Sequence, residues 1–325
     1  MHFDTFRGNA EMMGCLPVDY AIAEGMDTAS APHPFKGNID LNKMQSLIDE
    51  KGAENICVCI ITITCNNNGG QPVSMQNIRE VSALCKKYNI PVVLDSARLA
   101  ENAYFIKTRE PGYENKSIKE ITNEMFSYCE TATMSSKKDG LVNIGGLFVT
   151  RNKSVYEQAN QLAIVHEGFI TYGGMSGRDM EALAVGLQEA CDFDYLDYRI
   201  KQVAYLGEKL KERGVPIIEP TGGHGVYVDG RRFFPQIPQR LVCALYEEAG
   251  VRAVEIGACA FGSIDKITGE PVYPAIEAMR IAINRRVYTN NHMDVIANAL
   301  GDIYENRDQY RGMKIVHQGS IQSLR

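Results

Sequence analysis

The 325-residue chain contains no tryptophan, so its aromatic surface rests on 16 tyrosines and 11 phenylalanines. It has no run of about 18 apolar residues, the length a helix needs to cross a bilayer, and no membrane-spanning segment is expected. Positive charge is not in excess. The 34 basic residues against 40 acidic ones leave a net charge of −6. That excludes a globally basic nucleic-acid binder. The opening residues MHFDTFRGNAEMM lack the basic-then-apolar layout of a signal peptide. The nine cysteines include no Cys-x-x-Cys pair, and nine is odd. Neither a zinc knuckle nor a closed disulfide framework is expected, and reduced thiols in a cytoplasmic setting are. Internal repeats, low-complexity tracts and Ser/Gly linkers are also absent.

What remains is a soluble globular composition, 45% hydrophobic and 23% charged, long enough for about two domains. Strand and helix signals alternate. Asn55–Thr64 is a β-branched apolar run and reads as a buried strand, with Cys57 and Cys59 on one face. Ser74 is placed to cap a helix whose apolar positions Met75, Ile78, Val81, Leu84 and Cys85 follow 3.6-residue spacing. Pro91–Leu94 reads as a strand ending at Asp95. Ser117 and Glu120 form a capping box for a helix to about Tyr128. Thr131–Met134 and Leu147–Thr150 read as further strands. Short strand–helix–strand connections predict an α/β fold with a mainly parallel sheet. From about residue 200 the character changes. A long helix is expected at Tyr195–Arg213, strands at Val215–Ile218, Gly225–Val228, Val251–Ile256 and Met279–Ile283, and helices at Ile237–Ala249 and His292–Tyr304. The expected division is a large domain over 1–200 and a smaller α+β domain over 201–325.

In parallel sheets, ligands sit beyond the carboxyl ends of the strands. That places Asn66, Asp95, Arg98 and the group Ser135-Ser136-Lys137-Lys138 on one rim. A lysine there is a candidate Schiff-base nucleophile toward a carbonyl cofactor, and nearby serine hydroxyls suit a phosphate. A carboxylate ending a strand suits a pyridinium nitrogen. Together these are the parts of a pyridoxal phosphate site.

The segments Asp95–Lys107 (DSARLAENAYFIK), Thr133–Gly146 (TMSSKKDGLVNIGG), Glu167–Met180 (EGFITYGGMSGRDM) and Arg285–Asp294 (RRVYTNNHMD), with NNGGQPVS, GGHGVYVDGRRF and GVRAVEIG, carry a stronger signal. In these, the chain resembles the β-eliminating lyases, tryptophanase and tyrosine phenol-lyase, from about Phe3 to Arg325. The resemblance implies a fold-type I (aspartate aminotransferase-like) pyridoxal phosphate enzyme. It implies Lys138 as the cofactor lysine and α-proton base, with Lys137 as a nearby cation. Ser135 is implied at the phosphate and Asp95 at the ring nitrogen. Arg98 and Asn66 are implied near the phenolic oxygen, and Phe3 stacked on the ring. Arg280 is implied as the clamp on the substrate carboxylate, and Asn143 as a backbone ligand of a potassium ion. A homo-oligomer, a tetramer by analogy, goes with it.

Two positions separate the branches of that family. Ile256 stands where the phenol-releasing enzymes carry an arginine. Asp4 resembles an aspartate of the tryptophanases. Both imply L-tryptophan as substrate, released as indole, pyruvate and ammonia, with Asp4 assisting proton transfer to the ring. Phenol or a thiol as leaving group is the alternative, and a chain that folds without turnover is a third reading. TMSSKKDGLVNIGG and ENKSIKEI read more like the phenol-lyase. The family's chains are expected to start before Met1 with a glycine-containing phosphate loop, and tryptophanases to continue past Leu324-Arg325 with a histidine near the indole. Asn284 stands in place of a proline, Pro235–Arg240 reads as shortened, and Asn67 and Asn68 replace smaller residues. His224, His166, His292 and the Arg231-Arg232 and Arg285-Arg286 pairs read as structural or surface groups.

Overall fold

A computed structural model describes residues 1–29, 32–235, 238–264, 268, 270–313 and 316. In chain order its helices are α1 (Asp4–Met12), α2 (Ala23–Met26), α3 (Leu41–Lys51), α4 (Met75–Lys87), α5 (Leu99–Arg109), α6 (Ile118–Ser127), α7 (Lys153–His166), α8 (Gly177–Glu189), α9 (Phe193–Glu212), α10 (Gly230–Phe233), α11 (Arg240–Ala249), α12 (Ala258–Phe261) and α13 (Asn290–Glu305). Its strands are β1 (Cys59–Thr62), β2 (Val92–Asp95), β3 (Thr131–Ser135), β4 (Gly146–Thr150), β5 (Gly225–Asp229), β6 (Val254–Ile256), β7 (Ser263–Ile264), β8 (Pro271–Val272) and β9 (Ala278–Ala282).

Two compact units result. One holds residues 38–64 and 72–198; the other holds 1–37, 65–71 and 199–325. One boundary between the units falls at 198/199, and 1–37 and 65–71 group with the C-terminal part rather than with the large sheet. The reason is hydrogen bonding far along the chain. Thr28 Oγ1 donates to Asp229 Oδ2 at 2.6 Å, and Gln71 Nε2 donates to the Pro220 carbonyl at 2.7 Å.

The first unit is built on the sheet β1-β2-β3-β4. β1, β2 and β3 are parallel, and β4 returns antiparallel to β3. Helices form where the sequence signals them. Ser74 Oγ accepts from Asn77 N at 3.1 Å and starts α4. The apolar stripe Met75, Ile78, Val81 and Cys85 is buried. Ser117 and Glu120 close the capping box of α6. β1 is shorter than the apolar run, because Cys57 lies outside it and is exposed. β4 leaves Leu147, Phe148 and Val149 exposed.

In the second unit the sheet β5-β9-β6 is antiparallel. Period-2 alternation gives it two different faces. Val226, Val228, Met279 and Ile281 join the main core with Val203, Leu206 and Leu210 of α9, Leu241 of α11 and Leu300 of α13. Tyr227, Ile256 and Ala278 face the other way, in a smaller cluster with Ile218 and Ile276. Val215–Ile218, read as a strand, contributes only a bridge from Ile217 to Val228. The expected helix start at Ile237, part of Pro235–Arg240, and the terminal Leu324-Arg325 lie outside the described residues.

None of the nine cysteines is in a disulfide, though Cys15, Cys57 and Cys259 are exposed rather than in a core. Among the described residues no helix is long and apolar enough to cross a membrane, and no cluster of three or more His, Cys, Asp or Glu could hold a metal.

Candidate active site

The residues singled out from the sequence fall into two groups, one in each unit. In the first unit the parallel order of β1, β2 and β3 brings their carboxyl ends to one rim. Thr62, Asp95 and Thr133 are direct neighbours across the three strands. Ser135 ends β3, and the chain then turns through Lys137 and Lys138. Lys138 Nζ donates to Ser135 Oγ at 2.8 Å. The hydroxyl therefore orients the amine.

That turn is not held by local capping. Asp139 is 2% exposed, and its Oδ2 accepts from Ala100 N at 2.8 Å and Glu101 N at 3.1 Å. These are amides of the first turn of α5, whose N-cap residue Arg98 provides no side-chain cap. A carboxylate from 39 positions away thus caps α5 and fixes the Lys138 turn against the Asp95 turn. Asp139 was readable in the sequence only as one more charge after Lys137-Lys138. Arg98 is buried, with Nη1 donating to Thr64 O at 3.4 Å.

Burial pushes the Asp95 carboxyl above the usual range, against the Ala97 amide and the Arg98 and Lys138 charges, which pull it down. A partly desolvated carboxyl of this kind gains from a cationic ring N–H. Lys137 and Asn143 are exposed.

The second unit carries Phe3, Asp4, Asn66, Ile256 and Arg280. Phe3 is the N-cap residue of α1 and Asp4 its first residue. Arg280 lies on the central strand β9, opposite Tyr227 on one side and Val254 on the other. Ile256 pairs with Ala278. Arg280 and Ile256 therefore share one face of this sheet, two residues out of step. Ile256 is 4% exposed and lines a cleft of 330 Å³ with Met1, Arg7, Asp19, Asn67, Phe261 and Ile276.

Three of these five residues hold buried polar atoms with no hydrogen-bond partner among the described residues: Asp4 Oδ1, Asn66 Oδ1 and Arg280 Nε. Native proteins pair nearly all such atoms, so unpaired ones at a site mark places a ligand or water fills. A guanidinium with no ion pair among the described residues suits a carboxylate. Taken by itself, the first unit offers an amine, a hydroxyl and a carboxyl that fit pyridoxal phosphate. Taken by itself, the second unit offers an amide oxygen and a guanidinium nitrogen that fit a polar ligand.

Tyr227 and Asn67 are not singled out by the sequence pattern as site residues. Tyr227 is 1% exposed and its hydroxyl is 2.9 Å from His224 Nε2. Gly70 explains the closeness of this corner: a Cβ there would lie 2.8 Å from the His224 ring, and its φ of +68° favours glycine as well.

A mainly parallel α/β sheet with a lysine, a hydroxyl and a half-buried carboxyl at its rim belongs to the class of fold-type I pyridoxal phosphate enzymes. The fold agrees with a solved structure, the threonine aldolase of Leishmania major, at a TM-score of 0.55 and 14% identity over 85% of this chain and 70% of that one. The family is more specific. The β-eliminating lyase family model matches residues 1–299. The chain is 48% identical over 324 residues to a tyrosine phenol-lyase of Clostridium tetani, covering 98% of this chain and 70% of that protein. It is 49% identical over 327 residues to a probable β-eliminating lyase of Trichomonas vaginalis, covering 98% and 71%. The chain belongs to the β-eliminating lyase family and is a pyridoxal phosphate-dependent lyase.

Proposed function

We propose that this lyase splits L-tryptophan into indole, pyruvate and ammonia. One observation carries the choice of leaving group. Ile256 lines the cleft at the position that the resemblance assigns to the leaving group, and it packs with Ile218, Tyr227, Ile276 and Ala278. An isoleucine donates no hydrogen bond to a phenol hydroxyl, and it suits an apolar ring. The names of the relatives favour a second reading, elimination of phenol from L-tyrosine.

Bound pyridoxal phosphate supplies an electron sink for the charge left at Cα. The rest falls to the chain. Ser135 and Lys137 would hold the phosphate, Asp95 would keep the ring nitrogen protonated, Asn66 and Arg98 would serve the phenolic oxygen, and Phe3 would stack on the ring. Arg280 grips the substrate carboxylate with its planar fork. Lys138 Nζ, directed by Ser135 Oγ at 2.8 Å, takes the α-proton. Asp4 gives a proton to the ring carbon that departs. Potassium at the Asn143 backbone, a homotetramer and a cytoplasmic location complete the proposal.

The test is direct. With added pyridoxal phosphate, the protein should develop an absorbance band near the visible edge that Lys138→Ala abolishes, and activity should fall by ~10²-fold or more in that variant. L-tryptophan should yield indole and L-tyrosine little phenol. Phenol without indole would overturn the use of Ile256.

A further inference from the structure

The loop Asn66–Gln71 is wired to its own unit by three side-chain amides in a row of six residues. Asn67 Nδ2 donates to His2 O at 2.7 Å, Asn68 Nδ2 to Lys36 O at 2.9 Å, and Gln71 Nε2 to Pro220 O at 2.7 Å. Cys65 and Gln71 close the loop as a β-bridge. Asn67, Asn68 and Gln71 are 5%, 3% and 1% exposed. Buried amide–carbonyl bonds at both ends leave this loop little freedom.

One of these bonds reaches the segment that carries Phe3 and Asp4. Helix α1 begins there without a side-chain cap. Its entry is held from outside instead. Asp19 Oδ1 accepts from His2 N at 2.7 Å and lies 2.8 Å from His2 Nδ1, while Arg7 binds Asp19 Oδ2. Asn67 holds the one remaining main-chain group of His2, its carbonyl. Asn67 also lines the cleft beside Ile256.

We propose that Asn67 is a positioning residue for leaving-group protonation: it clamps His2 and thereby sets Asp4 at the departing ring. This rests on the function proposed above. In that reaction the electron pair left at Cα forms the Cα–Cβ double bond. The ring carbon bonded to Cβ takes a proton from Asp4. The Cβ–ring bond breaks with its pair returning to the ring, and indole leaves neutral. A thiolate leaving group takes the bond pair itself and needs no proton on carbon. Asn67 therefore governs the first substrate class and not the second.

The experiment compares Asn67→Leu and Asn67→Gln with the unaltered chain, saturated with pyridoxal phosphate. Asn67→Leu keeps the volume and removes the donor. With L-tryptophan its kcat should fall at least ~10-fold, since general-acid catalysis is worth ~10²–10⁴. With S-ethyl-L-cysteine it should fall less than about threefold, and the cofactor absorbance band should persist. Asn67→Gln should recover part of the loss. Amide hydrogen exchange, read on the cofactor-free protein, should speed up at residues 4–8 in Asn67→Leu and stay unchanged in α4. An equal fall on both substrates, or unaltered exchange at residues 4–8, overturns the proposal. An unaltered chain that eliminates neither substrate refutes the proposed function instead, and the exchange comparison then decides the clamp by itself.

Discussion

Replacing Ile256 by arginine is the sharpest probe of leaving-group choice. The side chain is 4% exposed and contributes an apolar wall to a 330 Å³ cleft that also holds Glu11, Asp19 and Arg7. Two effects follow for the substrates. A ring that rests against Ile256 loses a contact worth about 1–3 kcal/mol, or roughly 10–150-fold in kcat/KM. A phenol hydroxyl gains a hydrogen bond to a cation, worth about 1.5–3 kcal/mol. The selectivity of tyrosine over tryptophan should therefore rise by roughly 10²–10⁴-fold, in about equal parts from lost tryptophan turnover and gained tyrosine turnover. Glu11, half-exposed on the same cleft, gives the new cation an acidic neighbour, and folding and cofactor absorbance of the variant are read alongside activity. The assay is indole and phenol release by the two proteins under one set of conditions, with Ile256→Ala to separate lost contact from added charge. A ratio unchanged within threefold in Ile256→Arg, with folding and cofactor absorbance intact, would refute the placement of Ile256 at the leaving group.

Three further outcomes test the site's supports. Asp95 has a folded pKa raised by burial, so the cofactor-free protein loses stability as pH rises from the usual aspartate range through that raised value. Asp95→Asn should make the cofactor-free protein more stable than its parent at neutral pH, lose that advantage in acid, and bind pyridoxal phosphate more weakly; denaturation with and without cofactor checks both. Burial would raise Glu124, but Lys116, Arg79 and Tyr113 hold it at about 2. Its contribution, about 1 kcal/mol with partners this exposed to solvent, should be present above the usual glutamate range and drain away as pH falls toward 2, and the pH dependence should flatten in Glu124→Gln. Asn102 is fully buried and bonds both Val73 N and Val73 O at 2.9 Å. Asn102→Leu leaves both groups buried and unpaired, and should cost about 2–5 kcal/mol in chemical denaturation.

Much of the large unit was legible because its signals are local. A cap lies three residues from the amide it satisfies, as with Ser74 and Asn77 or Ser117 and Glu120. A parallel strand ends where its apolar run ends, so Asp95 and Ser135 could be placed on one rim from the sequence. The Lys138–Ser135 bond, three residues apart, belongs to the same local order. The family followed from long stretches of wording, and the match over residues 1–299 agrees with it.

The sequence by itself therefore determined the α/β class, the starts of α4 and α6, the lysine–serine–aspartate rim and the lyase family. Only the tertiary structure decided which distant pieces share a unit, that Asp139 caps α5, that Arg280 and Ile256 share a sheet face, and that Asn67 grips His2. Those bonds join residues 39, 65 and 149 positions apart. Periodicity and capping act over three or four residues and carry no information on such pairings. They arise when the closing of long loops is offset by burying apolar faces together, as along Val226, Val228, Met279 and Ile281. The physical choice of partner for an amide such as Asn67 is made only then, by whichever unsatisfied carbonyl the packed chain brings within reach.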